Sequence, residues 1–300
     1  MWKSQVNYEA IPRPIPMSFS IPGGMVAGQK IGNVSLRDKY TASISMGLPL
    51  TIPDNTSCNL IQASFAYSQP NVASAGQIEA LPDGNNIINI SYNGGVITPY
   101  AVPTGLYSYT DIQYALNQIA ILQGWITTQN LFILQGIPST QQLVITIDPT
   151  AFVGGQSPAA GFAFNFIGSG TMGILLGFTA ATTYVVPGNS NIAVSFTGNV
   201  AASFSDTSSY VLYMSILTAS YSNGITGQLL YSFPLGANSP NTIASYEPKL
   251  RFPVPCAQNS YTNIEIWMTD QSGNRLPWQY FQAPTQFSIL ISKNKKNGTL

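Results

Sequence analysis

The sequence has no histidine, and only 7% of its 300 residues are charged, eleven basic against eleven acidic. An ordinary soluble domain carries roughly 25% charged residues. Without imidazole there is no Ser-His or Cys-His nucleophile arrangement, and the commonest general acid–base group is missing. Two cysteines, Cys58 and Cys256, are too few for a disulfide scaffold and too far apart in sequence for a zinc knuckle. They fit a reducing compartment, with a Cys58–Cys256 bridge left open. The basic residues form no stripe of the kind that phosphate backbones require, so sequence-specific nucleic-acid binding is not expected. No apolar run reaches the roughly eighteen residues of a membrane span. Met1–Gln5 lacks the apolar core of a signal peptide, and secretion through one is not expected.

What is present is apolar or polar without charge. Hydrophobic residues make up 45% of the chain and aromatics 11%, which excludes disorder. A folded chain of this length exposes on the order of 12,000 Å², so its few charges are spread thinly. That surface is either built of Ser, Thr, Asn and Gln or covered by other copies. A net charge of zero gives little protection against self-association. The composition therefore points to life in an assembly.

Residues 1–35 read as an extended N-terminal arm. Pro12, Pro14, Pro16 and Pro22 forbid central strand pairing. Yet Trp2, Tyr8, Ile11, Ile15, Met17, Phe19 and Ile21 are too apolar for a solvated tail. We expect the arm to lie on a neighbouring subunit, with packing on its own domain as the alternative. From residue 43 onward, short runs rich in Ile, Val, Phe, Tyr and Thr alternate with turn signals such as Asp83-Gly84 and Asn93-Gly94-Gly95. The stretch 262–270 alternates polar and apolar, as a strand with one wet face does. This pattern is all-β, an antiparallel sandwich or barrel.

One helix interrupts it. In 110–122 Ile112, Ala115, Leu116, Ile119 and Leu122 recur at the helical period. Thr110 with Gln113 is read as a capping box, and Gly124 closes the segment. A lone helix among strands is expected to be a lid on a sheet edge or an open end. Lys293, Lys295 and Lys296 make 293–300 a basic C-terminal tail.

No constellation for catalysis stands out. The carboxylates are scattered singly, and no catalytic, cofactor-binding or metal-ligating residue is expected. Gly168-Ser169-Gly170-Thr171-Met172-Gly173 matches G-x-G-x-x-G, but no sustained helix follows and no acid appears until Asp206. A dinucleotide site needs both. The chain is therefore expected not to be an enzyme.

An order of short motifs resembles the penton, or minor capsid, proteins of virophages and Polinton/Maverick-like viruses. First come Tyr67-Ser68-Gln69-Pro70-Asn71-Val72 and then Gly105-Leu106-Tyr107-Ser108-Tyr109-Thr110-Asp111-Ile112, running into the helix up to Asn117. The strand 143–148 and Leu175-Leu176-Gly177-Phe178 follow. The series ends with Ile264-Glu265-Ile266-Trp267-Met268-Thr269-Asp270-Gln271-Ser272-Gly273-Asn274 and a closing strand at 287–292. The resemblance implies a single antiparallel jelly roll over 36–292, with a helix-containing insertion at about 100–180. It also implies a homopentamer at the five-fold vertices of an icosahedral virion, with the major capsid protein as neighbour. A host receptor is a further expected partner, through the insertion. A second reading keeps the sandwich but makes it a receptor- or carbohydrate-binding spike or lectin-like module.

Overall fold

The computed structural model describes residues 14–66, 68–127, 130–204, 209–218, 220–222, 225–235, 242–249 and 253–293. The chain divides into two compact units. One comprises 1–68 with 207–300, and the other comprises 69–206. The inserted unit is therefore wider at both ends than the expected 100–180. Along the chain come β1 (Ile15–Ile21), β2 (Lys30–Ile31), β3 (Val34–Leu36), β4 (Ala42–Ile52) and β5 (Thr56–Ala66). The inserted unit holds β6 (Ile87–Tyr92), β7 (Thr98–Ala101), α1 (Tyr109–Leu122), β8 (Phe132–Ile137) and β9 (Gln142–Ile147). It continues with β10 (Phe162–Asn165), α2 (Gly173–Leu176), β11 (Thr183–Val186) and β12 (Val194–Thr197). Back in the first unit are β13 (Ser209–Met214), β14 (Ser220–Ser222), β15 (Ile225–Gly227) and β16 (Leu229–Pro234). The last are β17 (Ile243–Tyr246), β18 (Val254–Pro255), β19 (Asn259–Thr269) and β20 (Thr285–Lys293). The fold is all-β, and every ladder between named strands is antiparallel.

The first unit has two main sheets. One has the order β1-β20-β5-β17, with β18 also on β5; the other runs β16-β13-β19-β4-β3-β2. The chain moves from one sheet to the other at each step from β1 to β4, β5 and β13. It stays in place from β13 to β16, then alternates again through β17, β19 and β20. Alternation along each strand decides what is buried. In β19 Ile264, Ile266 and Met268 point into the core, while Glu265 and Trp267 face out. Trp267 lies opposite Tyr213 in the ladder and the two rings stack at 5.5 Å and 4°. In β20 Phe287, Ile289 and Ile291 supply the matching inner face. Each such side chain contributes about 1.5–3 kcal/mol on full burial.

The inserted unit is a smaller sandwich, with sheets β11-β10-β6-β7 and β12-β9-β8. Phe162 and Phe164 of β10 meet Phe132 of β8, and Phe164 meets Phe196 of β12. Helix α1 stands beside β8, where a fourth strand would lie. Ile112, Leu116 and Ala120 face the core, and the helix makes up for the missing backbone partner with side chains. Asn117 Nδ2 donates to Phe132 O at 2.8 Å, Phe132 N–H donates to Asn117 Oδ1 at 3.0 Å, and Leu134 N–H donates to Gln113 Oε1 at 2.8 Å. An open sheet edge is thereby closed, so the helix is the edge lid that its isolation implies. Its capping box is Ser108 with Asp111 rather than Thr110 with Gln113, because Gln113 is engaged with β8.

Candidate contact surfaces

The residues read as an arm divide. Trp2, Tyr8 and Ile11 lie outside the described residues. Ile15, Met17, Phe19 and Ile21 form β1, paired with β20 from Ile15↔Ile291 to Ile21↔Thr285. Phe19 and Ile21 are buried in their own unit's core, Met17 packs on it, and Ile15 is exposed. Pro16 is accommodated because β1 is an edge strand, where the missing N–H costs no ladder bond. Lys293 ends β20 in an exposed position, and Lys295 and Lys296 lie outside the described residues.

The motifs that carry the family resemblance act as locks. Asn71 mimics a backbone strand: Tyr107 N–H donates to its Oδ1 at 2.8 Å, while its Nδ2 donates to Tyr107 O at 2.8 Å and Phe204 O at 2.7 Å. The segments by which the chain enters and leaves the inserted unit are tied together there. The Ser68 hydroxyl donates to Tyr280 O within the first unit. Asp270 Oδ1 accepts from Ser272 N and Asn274 N, and its Oδ2 accepts from Asn274 Nδ2, all within 2.9 Å, which fixes the turn after β19.

The glycine-rich stretch is likewise structural. Gly170 has φ +74°, and a Cβ there would come within 2.9 Å of Asp83 O. Its carbonyl accepts from Ile87 N and Met172 N–H donates to Ile87 O, so the loop is laced to β6. Both cysteines are free and buried. Burial raises the Cys58 thiol far above its usual range, with Cys256 adding to it, and pushes Cys256 up to about 11.

Charge is partitioned between the units. All eleven basic residues belong to the first, with six acids; residues 69–206 contain five acids and no base. Arg37 is the hub of the first unit's described ion pairs, with Nη1 at 2.7 Å from Glu265 and Nε at 3.5 Å from Asp38. Burial works upward on the Asp38 carboxyl. The N–H groups of Tyr40 and Thr41, the Thr41 hydroxyl and the Arg37 charge outweigh it, holding the carboxyl below its usual range.

No family model matches the sequence, and no curated protein matches it. Among solved structures, the selenomethionine-labelled penton protein of mavirus is similar to this chain at 14% identity. The match covers 94% of this chain and 100% of that one, with a TM-score of 0.44. The strand order described above stands independently of that likeness.

Proposed function

We propose that the chain is a structural capsid subunit, a jelly roll that closes into a homopentamer at the five-fold vertices of an icosahedral virion. The observation that carries this reading is the winding of the first unit. Its eight principal strands form the orders β1-β20-β5-β17 and β4-β19-β13-β16, each antiparallel, with the chain changing sheets at every step but one. Such interleaving supports a jelly roll, whose double Greek key is an architecture of capsid subunits and lectin domains. The inserted unit then occupies the connection from the third strand to the fourth. The motif order shared with the penton family agrees with this assignment.

In this reading the neutral flanks pack copy against copy, and a head-to-tail contact closes because its rotation closes. The major capsid protein is the outer neighbour, and the basic tail from Lys293 faces the interior. The arm contribution belongs to 1–13 with Ile15, since Phe19 and Ile21 are spent on the core.

Native mass by light scattering, with negative-stain images, tests the proposal. Five-membered rings of five subunit masses are expected; a stable trimer, or a stable monomer that binds glycans, would overturn it. Deleting residues 1–13 should leave the fold intact and lower incorporation into shells. Normal incorporation would remove the arm from the account.

A further inference from the structure

One end of the inserted sandwich gathers four loops, whose described residues are 93–97, 122–127 with 130–131, 148–161 and 187–193. The chain enters and leaves the unit at the other end. The four loops are stitched into one surface. Asn93 N–H donates to Gly161 O at 2.9 Å, Ser157 N–H to Ser190 O at 2.8 Å, and Val153 N–H to Trp125 O at 2.9 Å. Beneath them Trp125 stacks on Tyr92 at 5.3 Å and 3°, with Tyr100 edge-on at 5.5 Å. From this firm base five aliphatic side chains project outward: Val96 (89% exposed), Leu122 (81%), Ile192 (71%), Val153 (62%) and Ile97 (47%). The segments 93–97, 122–126, 152–161 and 187–193 contain no charged residue. The nearest carboxylate, Asp148, is occupied within its own loop, accepting from Thr150 N at 3.0 Å and Thr150 Oγ1 at 2.7 Å.

We propose that this tip docks on an electrically neutral lipid surface, its aliphatic side chains entering the headgroup–acyl boundary. Three observations favour lipid over a protein partner. The projecting residues are all aliphatic, whereas the anchors of protein interfaces are drawn chiefly from Trp, Tyr and Arg, with Leu and Val under-represented. The absence of charge suits a phase in which an ionised group is expensive. Two of the turns each close one backbone bond of their own, Gly95 N–H donating to Tyr92 O at 3.0 Å and Gly155 N–H to Phe152 O at 2.8 Å, which lowers the cost of leaving water for those groups. With no basic residue in 69–206, attraction to anionic headgroups plays no part at this end. Affinity comes from buried apolar area.

Flotation of the full chain with pure phosphatidylcholine vesicles tests this, because anionic lipid would also engage the lysines of the first unit. Binding should survive raised salt. V96D, L122D and V153D should each lower the bound fraction about tenfold or more, with unchanged circular dichroism because the sites are exposed. L48D, an exposed leucine of β4, should float like the parent. Three outcomes would overturn the proposal: no flotation with phosphatidylcholine at any lipid concentration, parental flotation of the tip variants, or a drop in native mass of those variants without lipid. The last would make the tip a subunit contact.

Discussion

Asn117 and Phe132 exchange two hydrogen bonds, the amide of one side chain standing in for the backbone of a strand that is not there. Both residues are fully buried. Replacing Asn117 by Leu keeps the branched shape and removes both partners, leaving the Phe132 N–H and C=O buried and unpaired. At about 1–3 kcal/mol for each orphaned group, N117L should cost roughly 2–6 kcal/mol. N117D should also be destabilising at neutral pH, since it exchanges a donor for a buried charge. Urea unfolding followed by Trp125 fluorescence reads the inserted unit, and a midpoint within error of the parent would show that water replaces the amide.

The cap of the same helix predicts a pH dependence. Asp111 Oδ2 accepts the Ser108 hydroxyl at 2.6 Å and the Ser108 N–H at 2.8 Å, and these bonds hold its carboxyl below the usual range. A carboxyl lowered in the folded state contributes stability above its unfolded value of about 3.9, and loses it as pH falls through the folded value. The gap between parent and D111N should therefore be constant from neutral pH down to about 5 and close below about 4. Asp111 is exposed and screened, so the gap should be modest. S108A should cost about 1 kcal/mol. A gap that widens on acidification would contradict the assignment.

How much of this is legible in the sequence depends on which signal a residue carries. Strands β6 and β11 follow from their β-branched runs, and the alternation over 262–270 correctly places Ile264, Ile266 and Met268 inward. Strands β1 and β7 are missed for one physical reason: Pro16 and Pro99 argue against a central strand, and both lie on edges. The helix declares itself by its period. That Gln113 and Asn117 serve β8 does not, because a polar residue on the inner face of a helix looks like an error until its partner strand is known. The tip is hidden for a similar reason. Val96, Leu122, Val153 and Ile192 are spread over about a hundred positions, and only the sandwich brings them to one end.

In the first unit, Thr285 has a buried hydroxyl with no hydrogen-bond partner among the described residues, set among Phe65, Phe233, Met268 and Phe287. Its desolvation is uncompensated. Thr285→Val preserves the β-branched shape of a strand residue and removes the polar atom, so it should stabilise the protein by about 1 kcal/mol. Thr285→Ser keeps the hydroxyl and opens a methyl-sized void, and should destabilise by a similar amount. A rise in urea midpoint for Val with a fall for Ser is the expected pair. A fall for both would mean that the hydroxyl has a bridging water.

The two thiols give a test of the redox state as well as of burial. Thiolate is the reactive form, and both groups are held protonated: Cys58 far above its usual range, Cys256 at about 11. At pH 8 the thiolate fraction of Cys256 is on the order of one in a thousand, and that of Cys58 is lower still. Native protein should therefore react negligibly with a maleimide or an aromatic disulfide. Labelling of Cys256 should accelerate about tenfold per pH unit as far as the fold survives. Unfolding in denaturant should release two thiols per chain at once, because both cysteines are free. Zero thiols after unfolding without reductant would instead reveal a Cys58–Cys256 bridge. Rapid native labelling at pH 8 would mean that the strand pair β5–β18 opens locally.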